Sequence, residues 1–257
     1  MQTKNQGVIQ GYNPQIAVDE THHFIVGVNM SHDHADVQQF TPVLKSIKEH
    51  TGKVPKIVSA DAGYFSTANI KSANEQKIDA YIAAVKEGKK AKNPYDKTHF
   101  SYHSETDTYT CPTGKILKVI KTENANNPDK PTKWKYECSA CLECPFQPDC
   151  VKAKSGKRTV HRTDEDPIRE EMRTKVQGPE GSVLYRKRKS IVEPVWGEIK
   201  EVQGFRQFHL RTEKKVSGEL LLLATSFNIK KLHSVKYPKK DTVYKREKSA
   251  QKRVNVA

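Results

Sequence analysis

The first 90 residues alternate between strand-like and helix-like patterns, and this alternation constrains the fold more than any other feature. Two β-rich runs, Gln15–Asp19 and Phe24–Met30, are joined by a short polar segment and predict an antiparallel hairpin. Apolar residues at helical spacing then predict a helix that ends near Gly52 and Pro55. A strand, a helix and a strand follow, over Lys56–Asp61, Ser66–Lys77 and Ile78–Val85. This order predicts an α/β fold in which helices flank a mixed sheet.

The charge of the chain favours a polyanionic partner. Its 45 Lys and Arg residues against 30 Asp and Glu residues give a formal net charge of +15. Such a surface attracts phosphates by long-range electrostatics and counterion release. The net charge indicates the sign of the partner's charge and leaves the identity of the partner open. A continuous run of about 18 apolar residues is missing, so we expect a soluble, cytoplasmic protein with no membrane partner.

Four regions follow from the patterns along the chain. Residues 1–85 form the first part of the α/β core, and residues 86–164, basic and rich in cysteine, read as an inserted module. Helical patterns return over residues 165–235. The basic tail, residues 236–257, has few large apolar residues and is predicted to be disordered.

All five cysteines fall between Cys111 and Cys150. In a reducing compartment, such clustering favours thiolate ligation of zinc over disulfides. We therefore predict a zinc-ribbon-like module with one Zn²⁺, held by four of the five thiols. The predicted ligands are Cys111, Cys138, Cys144 and Cys150, with Cys141 as the alternative member. A small module with free thiols and no metal is the other interpretation.

Two carboxylates stand where they could bind a hard divalent ion. Asp61 closes a predicted strand and Glu193 opens a helical segment next to a run of cations. Oxygen ligands at such positions suit Mg²⁺ or Mn²⁺ beside a phosphate group. Asp61 taken alone also fits a turn or a helix cap. The segment SHDHAD (residues 31–36) could suggest a metal site as well, but it fits a polar loop with Asp36 at a helix start better.

The spacing of Tyr185, Lys189, Glu193 and Lys200 resembles the Tyr-Arg-Glu-Lys signature of DDE-type transposases from bacterial insertion sequences. The segment SADAGYFS (residues 59–66) is similar to the second aspartate strand of that family, and the resemblance extends over roughly residues 11–232. It implies a ribonuclease H-like core with Asp61 and Glu193 as catalytic, metal-binding residues. It further implies that Tyr185, Arg188 or Lys189, and Lys200 bind DNA at the transposon ends. The partners would be transposon-end and target DNA, with a homodimer on DNA left open.

The family's first catalytic aspartate lies on a strand upstream of the hairpin, and that strand has no counterpart in this sequence. We therefore expect an N-terminally truncated or split transposase whose own activity is open. Asp19, which also ends a strand, is a candidate substitute. The alternatives are a noncatalytic DNA-binding remnant of a transposase and an unrelated zinc-ribbon protein that binds RNA.

Overall fold

The computed structural model describes residues 2–3, 7–8, 11–84, 93–127 and 130–238. The chain forms two compact units, one made of residues 1–82 and 176–257 and the other of residues 83–175. Residues 86–92, at the start of the predicted inserted module, and the part of the predicted disordered tail beyond residue 238 lie outside the described residues. Along the described ranges, every helix is too short or too polar to cross a membrane.

The first unit begins with antiparallel pairs. Strands β1 (Gln2–Thr3) and β2 (Gly7–Val8) form a short antiparallel pair. Strand β3 (Asn13–Val18) pairs with β4 (Ile25–Ser31) in the same way. The pairing of β3 with β4 confirms the predicted hairpin. A register shift between Ala17 and Val18 marks an irregularity next to the turn.

A strand–helix–strand arrangement follows the hairpin, as predicted. Helix α1 ends at Gly52, which adopts a left-handed conformation that glycine reaches without a steric penalty. Helix α2 begins after Ser66, whose hydroxyl accepts a hydrogen bond from the Asn69 amide. The elements are α1 (Phe40–Thr51), β5 (Ile57–Ala60), α2 (Thr67–Glu75) and β6 (Asp79–Ile82).

Strands β5 and β6 pair in parallel, so the protein has a mixed α/β fold. In the part of the chain that the structure describes, β5–β6 and β3–β4 remain separate ladders and share no hydrogen-bonded edge. The expected single sheet is thus present as two strand pairs. Helix α1 packs against β3 and β4.

Two C-terminal helices complete the first unit. Helix α5 (Pro179–Gly197) contacts β3, β5 and β6, and a π-helical segment, Glu198–Val202, continues it. Helix α6 (Glu213–Lys236) packs on β4. The buried cores between these elements consist of Ile25, Val195, Ile199, Ala224 and Phe227, and of Met30, Val216 and Leu220.

Helix α6 contains a run of apolar residues that is buried only in part. Leu220 and Phe227 are buried, but Leu222, Ile229 and Leu232 are exposed. The buried stripe repeats every three to four residues, as a helix requires, whereas Leu222 and Ile229 are seven apart on another side. The long apolar run in the sequence therefore packs through one stripe only.

The second unit is a five-stranded antiparallel sheet in which sequential strands are neighbours. Its core is aromatic and aliphatic, formed by Phe100, Tyr109, Leu117, Tyr136 and Val160. The strands are β7 (Ser101–His103), β8 (Thr108–Thr110), β9 (Ile116–Glu123), β10 (Lys133–Cys138) and β11 (Thr159–Thr163), with the short helix α3 (Gln147–Cys150) between the last two and α4 (Asp166–Gln177) after them.

Candidate active site

Asp61 directly follows strand β5 and begins the segment that we call the Asp61 loop, residues 61–66. One carboxylate oxygen, Oδ1, accepts a hydrogen bond from the Ala62 amide at 2.5 Å. The Tyr64 amide donates to the Asp61 carbonyl at 3.0 Å, which closes a tight turn. The Asp61 side chain is 55% exposed. A strand-end carboxylate is thus held by its own turn and still open to solvent.

Arg188 of helix α5 reaches this carboxylate. Its Nη2 lies 3.3 Å from Asp61 Oδ2, and its side chain is only 16% exposed. The guanidinium also lies 5.7 Å from the ring centroid of Tyr185, and its Nε is buried without a hydrogen-bond partner among the described residues. Lys189, the other candidate for the signature cation, is exposed. The fold therefore places Arg188 at Asp61 and leaves Lys189 in solvent.

Glu193 and Lys200 lie on a different side of α5 and its π-helical continuation from Arg188. The expectation that Glu193 opens a helical segment is wrong, because Glu193 lies near the C-terminal end of α5. It is exposed and follows Arg188 by five residues, which corresponds to about 140° around an α-helix. Lys200, in the π-helical segment, is exposed and lies 5.6 Å from the ring centroid of Trp196. Within residues 11–84, 93–127 and 130–238, no three His, Cys, Asp or Glu side chains form a group that could hold a metal ion. Asp61 and Glu193 thus belong to the same unit, but in this structure they are not part of a group of side chains that could hold a metal ion.

Asp19, the candidate substitute, has a different environment. Its carboxylate accepts three backbone hydrogen bonds inside the β3–β4 turn, from Thr21 at 2.9 Å, His22 at 2.9 Å and Phe24 at 2.6 Å. Such a side chain satisfies the amides of a turn that would otherwise lack acceptors. The contacts of Asp19 are those of a structural turn residue.

A polar cluster beside the Asp61 loop was not expected to contribute to the site. Asp36 is the first residue of a 3₁₀ turn, Asp36–Gln39, which confirms its predicted place at a helix start. Its carboxylate also accepts hydrogen bonds from Asn13 and Gln15 of β3, and Tyr64 donates to the Gln15 side chain. Burial raises the pKa of Tyr64, and the charges of Asp36 and Asp61 raise it further against the opposing effect of Arg188. The loop DAGY, with its glycine, was the one sequence feature that could have indicated this cluster. It does not show that the loop contacts Gln15 on β3.

The five cysteines of the second unit line one pocket, which we call the cysteine pocket. All five are free thiols, and Cys138 and Cys141 are buried. Backbone amides donate to sulfur at two points, from Lys115 to Cys111 Sγ at 3.2 Å and from Arg158 to Cys141 Sγ at 3.3 Å. The fold therefore brings Cys111 to the four thiols that are already clustered in the sequence.

Two of the five thiols have a raised pKa, which favours their neutral form. Burial raises the pKa of Cys138 to about 11, with a hydrogen bond to Cys141 and the nearby Cys111 as further causes. Burial also raises the pKa of Cys150. As placed, the thiols do not form a metal-ligating group anywhere in the described ranges. The residue types suit zinc, whereas their present geometry does not.

Comparison with known proteins gives one match. Residues 110–233 match the family model of a transposase DDE domain, which supports a DDE-type transposase. No curated protein and no solved structure gives a significant match. The matched segment contains the cysteine pocket, Arg188, Glu193 and Lys200, whereas Asp61 lies before it. Transposases act on DNA, and DDE transposases generally use a divalent metal ion such as Mg²⁺.

Proposed function

We propose that this chain carries the catalytic core of an insertion-sequence transposase, with a ribonuclease H-like arrangement and two metal-binding carboxylates, Asp61 and Glu193. The observation that carries the proposal is the ion pair between Asp61 and Arg188. Arg188 belongs to the segment that matches the transposase domain, and Asp61 does not. The ion pair thus joins a strand-end carboxylate to a helix of the matched segment, which supports the proposal.

The residues of the site fit a hard divalent ion in their chemistry, since carboxylate oxygens are the ligands that Mg²⁺ and Mn²⁺ take. Asp61 and Glu193 would hold the ion, which would stabilise the charge that develops on a phosphate during strand cleavage. Arg188 offers a planar fork of donors that matches a phosphate, and the exposed Lys189 and Lys200 add point charges. Together with Tyr185, these residues would orient the DNA backbone beside the two carboxylates.

Noncatalytic DNA binding is a second candidate function. It is favoured by the position of Glu193, on a side of α5 away from Arg188, and by the pairing of Asp61 with a cation. In this form the basic surface binds DNA, and the two carboxylates never share an ion.

Nicking of supercoiled DNA in Mg²⁺ or Mn²⁺ distinguishes the two functions. If Asp61 and Glu193 hold a divalent ion, the full chain should bind and nick DNA, and Glu193→Gln should bind equally well but nick at least about 100-fold more slowly. Glu201→Gln is the matched control, because Glu201 is an exposed glutamate of the adjoining π-helical segment that pairs with Arg206. Binding without nicking would favour the noncatalytic function, and nicking that survives Glu193→Gln would refute the assignment of Glu193.

Zinc in the cysteine pocket also stays a proposal. Five thiols around one pocket and two amide-to-sulfur hydrogen bonds support it. Binding would require the thiols to lose protons and to move into ligating positions. Elemental analysis of protein purified without chelator should give about one equivalent of zinc, and Cys138→Ser should remove it. Less than about half an equivalent in the unsubstituted protein would leave free thiols as the correct interpretation.

A further inference from the structure

Asp36 holds its carboxylate in a defined orientation next to the Asp61 loop. Its Oδ1 accepts hydrogen bonds from Asn13 Nδ2 at 2.7 Å and from Gln15 Nε2 at 2.9 Å. Gln15 Nε2 also donates to Asn13 Oδ1 at 2.7 Å, so the two amides brace each other. Hydrogen bonds to an ionised acceptor are shorter and stronger than neutral ones. The side chain of Asp36 is therefore fixed to strand β3 through one oxygen.

The second oxygen of Asp36 lies against the loop itself. A Cβ atom on Gly63 would stand 2.8 Å from Asp36 Oδ2 and 3.3 Å from Asp36 Cβ. Real side chains do not approach this closely, so the contact depends on glycine at position 63. Asp36 thus packs directly on the backbone two residues after Asp61.

Further hydrogen bonds tie the same loop to the Asp36 segment. Asn69 Nδ2 donates both to the carbonyl of Val37 and to that of Tyr64, each at 2.7 Å. The Tyr64 hydroxyl donates to Gln15 Oε1. The loop is connected to the Asp36 cluster at its glycine, its tyrosine and the helix that follows.

We propose that Asp36 is a positioning residue, which acts through Gly63 and Tyr64 to aim the Asp61 carboxylate at the divalent ion. The Asp61 side chain receives the Ala62 amide, so the conformation of the loop sets the direction of its oxygens. Residues that orient a metal ligand without binding the metal commonly contribute 10- to 100-fold to metal affinity. This inference rests on the proposed function, in which Asp61 binds the ion.

The first test is Mn²⁺ binding by the full chain, measured by electron paramagnetic resonance of the free ion. We expect Asp61→Asn to remove the site and Asp36→Asn to weaken it about 10-fold. Asp33→Asn is the matched control, because Asp33 lies in the same segment but its carboxylate is bonded to Ser31 and Gln39. If Asp61→Asn abolishes Mn²⁺ binding but Asp36→Asn leaves the Mn²⁺ affinity unchanged, the proposal is overturned.

A double-substitution cycle separates positioning from a general loss of structure. Gly63→Ala should weaken Mn²⁺ binding in the native background, because its Cβ displaces Asp36 Oδ2. In an Asp36→Ala background the same change should cost no further affinity, since the obstructing oxygen is gone. Equal and additive losses in both backgrounds would contradict the proposed route through Gly63.

Hydrogen exchange of the metal-free chain supplies a readout that does not need the metal. Asp36→Asn should accelerate exchange of the Tyr64 and Phe65 amides, which bond to Asp61 and Ala62, and Asp33→Asn should not. If Mn²⁺ fails to bind at Asp61 but the loop still responds, the proposed function fails and the positioning of the loop stands. A loop that exchanges at the native rate in Asp36→Asn would refute the positioning role whatever the metal does.

Discussion

Two aspartates of the first unit each follow a strand, and their surroundings differ. The Asp19 carboxylate is used by three amides of its own turn. The Asp61 carboxylate takes one amide, faces Arg188 and remains 55% exposed. A carboxylate whose two oxygens both accept backbone hydrogen bonds stabilises a turn. A carboxylate with one oxygen paired only to an arginine side chain can exchange that arginine for a ligand. The comparison supports a structural role for Asp19 and the proposed metal-binding role for Asp61.

The largest effect should appear in stability. Asp19→Ala leaves three turn amides without their acceptor, and we expect it to lower the free energy of unfolding of the first unit by about 2 kcal/mol. Asp61→Ala should lower it by less, about 1 kcal/mol or under, because only one amide loses its acceptor and an exposed ion pair contributes little. Urea unfolding in a Trp134→Phe background, which leaves Trp196 as the reporter, measures both. Equal losses for the two variants would remove the distinction between them.

A smaller effect should appear when the partner of Asp61 is removed. Two unit charges about 4 Å apart interact by about 1 kcal/mol in water, which corresponds to about a fivefold change in affinity. We therefore expect Arg188→Gln to raise Mn²⁺ affinity about fivefold while weakening DNA binding. Lys187→Gln is the control, because Lys187 pairs with Glu20 instead. Titration of Mn²⁺ without DNA tests this, and a loss of affinity in Arg188→Gln would mean that the ion pair supports the site.

The smallest effect should be that of the single exposed cations on DNA binding. The net charge of +15 predicts affinity that falls steeply with salt. Lys189→Gln and Lys200→Gln should each reduce the slope of log affinity against log salt by about 1. Lys45→Gln, on helix α1, should leave the slope unchanged if DNA lies along α5. Equal effects from all three lysines would indicate diffuse attraction rather than a bound track.

Much of the first unit could be predicted because its signals are local. The alternation of the hairpin, the cap at Ser66 and the glycine at position 52 each act within a few residues, and the structure has the corresponding elements. Strands β10 and β11 escaped prediction for different reasons. Polar and charged residues dominate β11, whereas in β10 the alternation of Trp134, Tyr136 and Cys138 with charged residues went unrecognised because the cysteine pattern dominates that segment. Their place in the sheet depends on partners distant in the sequence.

The candidate site shows the same limit. Asp61 could be singled out because a strand ends there and glycine follows. The choice of Arg188 over Lys189 as its neighbour depends on the rotation of α5 against β5, which no local pattern specifies. The contact between Asp36 and Gly63 likewise joins two loops that only the folded chain brings together. Tertiary packing decides these details, and residue spacing does not.

The central claim is that a divalent ion binds at Asp61 and not at Asp19. Iron(II) bound in place of Mg²⁺ reduces added hydrogen peroxide to hydroxyl radicals, with ascorbate to regenerate the iron(II), and these radicals cut the polypeptide next to the bound metal. We predict cuts around residues 61 and 193, lost in Asp61→Asn and retained in Asp19→Asn. Cuts at the β3–β4 turn, or a cutting pattern that Asp61→Asn leaves unchanged, would contradict the account.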